Sequence, residues 1–119
     1  MELQDILAKH KVWIDTAGKE GERADLRKAI LQEADLHEVN LQGADLEDAH
    51  LSVADLMGAN LRLANLKRAD LWMADLKDTN LQGAELQGAN LSNATNLTQE
   101  QIDSAITDAA TMLPAGLRR

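Results

Sequence analysis

The chain has 119 residues, room for one domain, and 45% of them are apolar, which can support a core. It holds two Trp but no Phe and no Tyr, so an interior of Leu and Ala must be narrow and regular, with nothing bulky to fill irregular space. Twenty acidic against twelve basic residues give a net charge of −8, the wrong sign for gripping phosphates, and the absence of Cys excludes disulfides, thiolate nucleophiles and cysteine metal sites. No apolar run approaches the ~20 residues of a membrane span. Met1 to Asp15 mixes charges into its apolar pattern and lacks a secretory core. A soluble, cytoplasmic protein with no direct nucleic-acid or membrane contact is expected.

Residues 1–23 read as an N-terminal capping helix and linker. Leu3, Ile6, Leu7, His10, Trp13, Ile14 and Ala17 follow helical spacing, and Gly18 supplies a stop. Trp13 lies on this stripe and reads as a capping core residue rather than a ligand contact.

From residue 24 to 94 a repeat takes over. Leu occupies every fifth position from Leu26 to Leu91, fourteen times without exception. Two residues before each Leu stands Ala in twelve cases, with Val39 and Thr79 in the others. Between them comes Asp or Asn, except at Ile30, His50 and Glu85. A period of five fits neither a helix, where it advances the Leu by about 140°, nor a straight strand, where alternate Leu would face opposite ways. The chain must turn once per repeat. A short extended piece then points Ala and Leu inward together, and stacked coils pair like neighbouring strands. Periodicity leaves both three and four sides open.

The run of Ala-Asp/Asn-Leu-x-x units resembles the pentapeptide-repeat family. The resemblance implies an all-β solenoid, a right-handed four-sided β-helix, here of about three and a half coils with short α-helical caps at both termini. The flanks also resemble parts that accompany such repeats: Gly-Glu-Arg-Ala-Asp-Leu from Gly21, and Leu-Pro-Ala-Gly-Leu from Leu113. Residues 95–119 read as a C-terminal capping helix and tail. The register breaks between Leu91 and Leu97, Thr98 and Gln101 are placed as a capping box, and Ile102, Ala105, Ile106 and Ala109 form an inner stripe that Pro114 ends. Covered ends favour a monomer over a fibre.

With four units per coil, residues twenty apart share a column. The first face alternates in sign: Arg27 and Lys28, then Glu47 and Asp48, then Lys67 and Arg68. The third face carries Asp35, Asp55 and Asp75 in one column with Glu38 and Asp78 beside them, five acids against Lys77 alone. Such a column is either a cation or basic-partner site, or a set of turn residues whose carboxylates bond nearby backbone. The second face holds Val53, Trp72 and Met73 at positions that should point outward, a candidate partner patch unless a terminal helix folds over it.

Catalytic chemistry is missing. His10, His37 and His50 share no metal-ligand spacing, and His50 beside Ser52 has no third group to orient the pair. No enzyme activity, cofactor or metal is expected. The leading reading is a non-enzymatic module or scaffold that binds another protein. The alternative comes from the resemblance: some family members are acidic DNA mimics that bind DNA gyrase. Those relatives are longer dimeric rods with frequent Phe at the central core position, where this chain has Leu throughout.

Overall fold

The computed structural model describes residues 2–119, with two helices, α1 (Leu3–Asp15) and α2 (Gln99–Ser104), separated by the repeat region. Each repeat turns in the same way. The Ala N–H that follows the two variable residues donates to the Leu carbonyl three residues earlier, as in Ala64 to Leu61 at 3.0 Å. Closing this turn needs a left-handed residue at its third position. The second residue after every repeat Leu meets that need, with φ between +57° and +72°; four are Gly and ten are not. The Asp or Asn before each Leu fixes the turn from outside, because its Oδ1 accepts the N–H two residues on. Asp55 takes that of Met57 at 3.0 Å, and Asn80 that of Gln82 at 3.0 Å.

Coils then stack in parallel register. Asp25 bridges Asp45, Ile30 bridges His50, Asp35 bridges Asp55 and Asn40 bridges Asn60, each twenty residues on, so four units close one coil. Between coils the bonds run both ways: Leu46 N–H donates upward to Asn65 at 2.7 Å, and Asn65 N–H downward to Ala44 at 2.9 Å. Leu and Ala fill the interior, and every repeat Leu is buried. Thr79 replaces one Ala without penalty, its hydroxyl donating to the Leu56 carbonyl at 2.7 Å.

At the N-terminal end α1 lies against the first coil, with Leu3, Ile6 and Leu7 packed on its core. Gly21, at φ +73°, lets the linker pass close beneath the helix. The C-terminal end departs from the sequence reading. The Thr98–Gln101 capping box forms, but α2 is six residues long and stops at Ser104 rather than running to Ala109. Ala105 is extended, Ile106 bridges Glu85 and Met112 bridges Asn90, so the ladder continues past residue 94. The cause is the open upper edge. Leu86 and Leu91 offer unpaired N–H groups there, and the Ile106 and Met112 carbonyls accept them at 2.7 Å each. Thr111 stands where a repeat has Ala and is buried, its hydroxyl donating to the Leu86 carbonyl at 2.9 Å. The molecule measures 42 × 24 × 22 Å, and neither helix is long and apolar enough to cross a membrane.

Candidate functional site

The second face is the apolar flank of the rod. Nine large hydrophobic side chains are exposed among the described residues, and five of them (Ile30, Val53, Trp72, Met73 and Met112) stand on this face, so the patch is longer than the three residues the sequence singles out. Val53, Trp72 and Met73 are each about two-fifths exposed, so neither helix folds over them. Their backbones are tied by the coil ladder, with Val53 N–H donating to the Trp72 carbonyl at 2.8 Å. Trp72 N–H is in turn held by Asp70 Oδ1 at 3.1 Å. The side chains therefore project from rigid turns. Val53 and Met73 sit one above the other at the left-handed position, with φ of +59° and +58°.

The third face uses its carboxylates locally. Asp35, Asp55 and Asp75 stack as bridged neighbours, and each accepts the backbone N–H two residues on. Asp75 also accepts Asn96 Nδ2 at 3.0 Å. Glu38, Asp55, Asp75 and Asp78 form no ion pair among the described residues. Asp35 does, with His37: the imidazole beside it holds its carboxyl below the usual carboxylate range, and the carboxylate in turn raises the His37 ring. Asp55, one coil above, completes the set of Asp35, His37 and Asp55, whose ligand atoms lie within 4.8 Å of one another and are the described residues able to hold a metal ion. Linear spacing hides this trio, because Asp55 joins it only through the twenty-residue register.

The first face is a ladder of ion pairs. Arg68 spans Glu47 at 2.9 Å and Asp48 at 3.0 Å, while Arg27 reaches Asp25 at 2.8 Å and Asp45 at 3.8 Å. The guanidinium of Arg27, donating two hydrogen bonds to Asp25, lowers that carboxyl to about 2. These pairs are exposed and so contribute little; Arg68 with Glu47 and Asp48, and Arg27 with Asp45, join neighbouring coils, whereas Arg27 and Asp25 belong to one unit. Among the described residues the side chains of His50 and Ser52 make no hydrogen bond. His10, the third imidazole, belongs to α1 and is buried where the helix meets the first coil, its Nδ1 accepting the Ala24 N–H.

A sequence profile of the family described as pentapeptide repeats matches residues 22–58, 34–72 and 59–99, with eight copies of the repeat. Among solved structures, the chain is similar to the pentapeptide repeat protein Rfr23 from the cyanobacterium Cyanothece 51142. Identity is 31%, the TM-score is 0.64, and the match covers 81% of this chain and 68% of that one. It also matches alr5209, a pentapeptide repeat protein from Nostoc PCC 7120, at 33% identity and TM-score 0.43, over 90% of this chain and 84% of that one. A third match is HetL, a pentapeptide repeat protein involved in heterocyst differentiation regulation in Nostoc sp. strain PCC 7120. There identity is 32% and the TM-score 0.29, over 82% of this chain and 52% of that one. No protein of curated function matches the chain. The four-unit coil, the Ala and Leu columns, the family profile over residues 22–99 and the likeness to Rfr23 make the chain a member of the pentapeptide-repeat family, whose fold is a right-handed quadrilateral β-helix.

Proposed function

We propose that the protein is a non-enzymatic binding module that presents its second face to a partner protein. Family members are in general non-enzymatic repeat scaffolds, which supports that class. The observation that carries the choice of face is Val53. A β-branched residue in the left-handed region is strained by about 1–2 kcal/mol, and four other turns of the stack place Gly there. Val53 is 43% exposed, so full core burial does not offset that strain. Strain kept at an exposed apolar position, beside Trp72 and Met73, is a property of contact surfaces rather than of supporting ones.

Two variants test the reading. Val53→Gly is expected to be more stable than wild type by about 1 kcal/mol in urea unfolding, since Gly adopts the turn freely, yet to hold the partner more weakly. Trp72→Ser/Met73→Ser is expected to fold normally by circular dichroism and to lose, in a pull-down from native lysate, a protein that wild type retains. The loss is then measured with the purified partner, at a Kd raised at least ~10-fold. Equal retention by wild type and double variant removes the second face from consideration. Were the retained protein DNA gyrase, held equally by both, the acidic third face would become the contact surface.

A further inference from the structure

The geometry around His10 points to a device outside the partner surface: we propose that His10 is a proton-sensitive latch that holds α1 on the first coil at neutral pH and lets it go in mild acid. The ring is fully buried and makes two bonds to the coil. Its Nδ1 accepts the Ala24 N–H at 2.9 Å, which leaves the proton of the neutral ring on Nε2, donating to the Gln42 carbonyl at 3.0 Å. Ala24 opens the first coil and Gln42 nearly closes it, so one side chain fastens the helix at two corners. Trp13 stacks on the ring with centroids 5.3 Å apart.

A second proton has one place to go, Nδ1, where it meets the Ala24 N–H donor head on. One bond is lost, and a cation is left buried without a carboxylate against it. Arg23, from the linker, faces the ring with like charge and is itself tied to the Gly43 carbonyl at 2.6 Å. Lys9 lies beside it on α1, with Glu2, Asp5, Glu22 and Asp25 lining the adjacent cleft. Lys11, on the same helix, is engaged with Asp15 at 2.6 Å. Among the described residues no side chain hydrogen-bonds the ring.

Desolvation is the main force lowering the His10 ring from its ordinary value, with Arg23 adding to it and the Gln42 bond opposing. The docked helix thus prefers the neutral ring. Docking is at full strength above the ordinary histidine range, near pH ~6.5, and weakens as pH falls below it, by up to about tenfold per pH unit until the docked ring itself protonates.

The test is hydrogen exchange of the Leu3–Asp15 amides from about pH 7.5 to 5, corrected for intrinsic exchange, with the His10 ring nitrogens followed by NMR. In wild type, α1 protection should fall below about pH 6.5 by up to tenfold per unit, while the coil amides from Leu46 to Leu66 hold theirs. The ring should be the Nε2–H tautomer at neutral pH. His10→Phe keeps the volume and the stack on Trp13 and should give weaker α1 protection with no pH dependence. Flat protection of α1 in wild type, simultaneous loss from α1 and coils, or wild-type pH dependence in His10→Phe would each overturn the proposal. If the variant leaves α1 undocked at every pH, the wild-type profile and the ring tautomer decide alone.

Discussion

Replacing Leu66 with Ala is expected to lower the unfolding free energy by about 3–5 kcal/mol, near the top of the range for a buried Leu. Leu66 is fully buried in mid-stack, with Leu46 one coil below it in its column and Leu86 one coil above. The size of the effect follows from rigidity. Core mutations cost less where the surroundings collapse into the space left behind, but here the distance between coils is fixed by hydrogen bonds on every face. Leu66 N–H itself donates to Glu85 at 2.8 Å. The interior also has no Phe, Tyr or Met that could swing into the hole, since its side chains are Leu, Ala and an occasional Ile or Thr. A domain stable by ~5–15 kcal/mol loses a large share of that in one substitution. Urea unfolding at constant m-value measures it, and a cost under about 1 kcal/mol would mean that the Leu column is not what holds the coils together.

Gly21→Ala acts at the end of the rod. A Cβ on Gly21 would sit 2.4 Å from the Lys9 carbonyl oxygen and 2.6 Å from the Trp13 nitrogen, both backbone atoms, and 2.9 Å from Val12 Cβ. Nothing there is a flexible side-chain tip, so the helix itself must move. The left-handed φ of +73° adds to the strain. We expect a loss of about 2–4 kcal/mol from the docking of α1, read as exchange of its amides at nearly the free-helix rate. The amides of the coils above the first should stay protected, because those coils contact each other rather than α1. Wild-type exchange in α1 would show that the linker can reroute.

The repeat itself was legible because its period forces the chain to turn once per unit, although the number of sides came from the family resemblance. Fourteen Leu at a spacing of five exclude helix and flat strand, and the Ala two positions earlier fixes which side is inner. What escaped the sequence is what depends on register between coils. Ile106 and Met112 bridge partners 21 and 22 residues back, outside the twenty-residue spacing; Ile106 has Thr107 where a repeat has Leu, and Met112 keeps Leu113 but has Thr111 in place of Ala. Ile106 reads as one more residue of a helical stripe until the edge it completes is known. The same holds for Ile30 and Met112, which extend the apolar flank from opposite ends of the chain. Asp35, His37 and Asp55 meet only because two of them are a coil apart. Val53 looks like any variable position; its strain becomes visible once the turn assigns it a positive φ. The aspartates of the third face were ambiguous in the sequence, and the bonds from the N–H groups two residues on give each of them a local task.

Within the repeat region bridged partners stand twenty residues apart throughout, and this has a consequence for how such a chain changes length. A cut from 45 to 64 joins Ala44 to Asn65, restoring an Ala-Asn-Leu unit, and every remaining side chain keeps its compass direction relative to both ends. Removing a single five-residue unit also preserves the local pattern, but it rotates everything above the cut by a quarter of a turn against everything below. Length in this architecture is therefore quantised twice. The smaller step resets which surfaces line up, and only the larger one is silent.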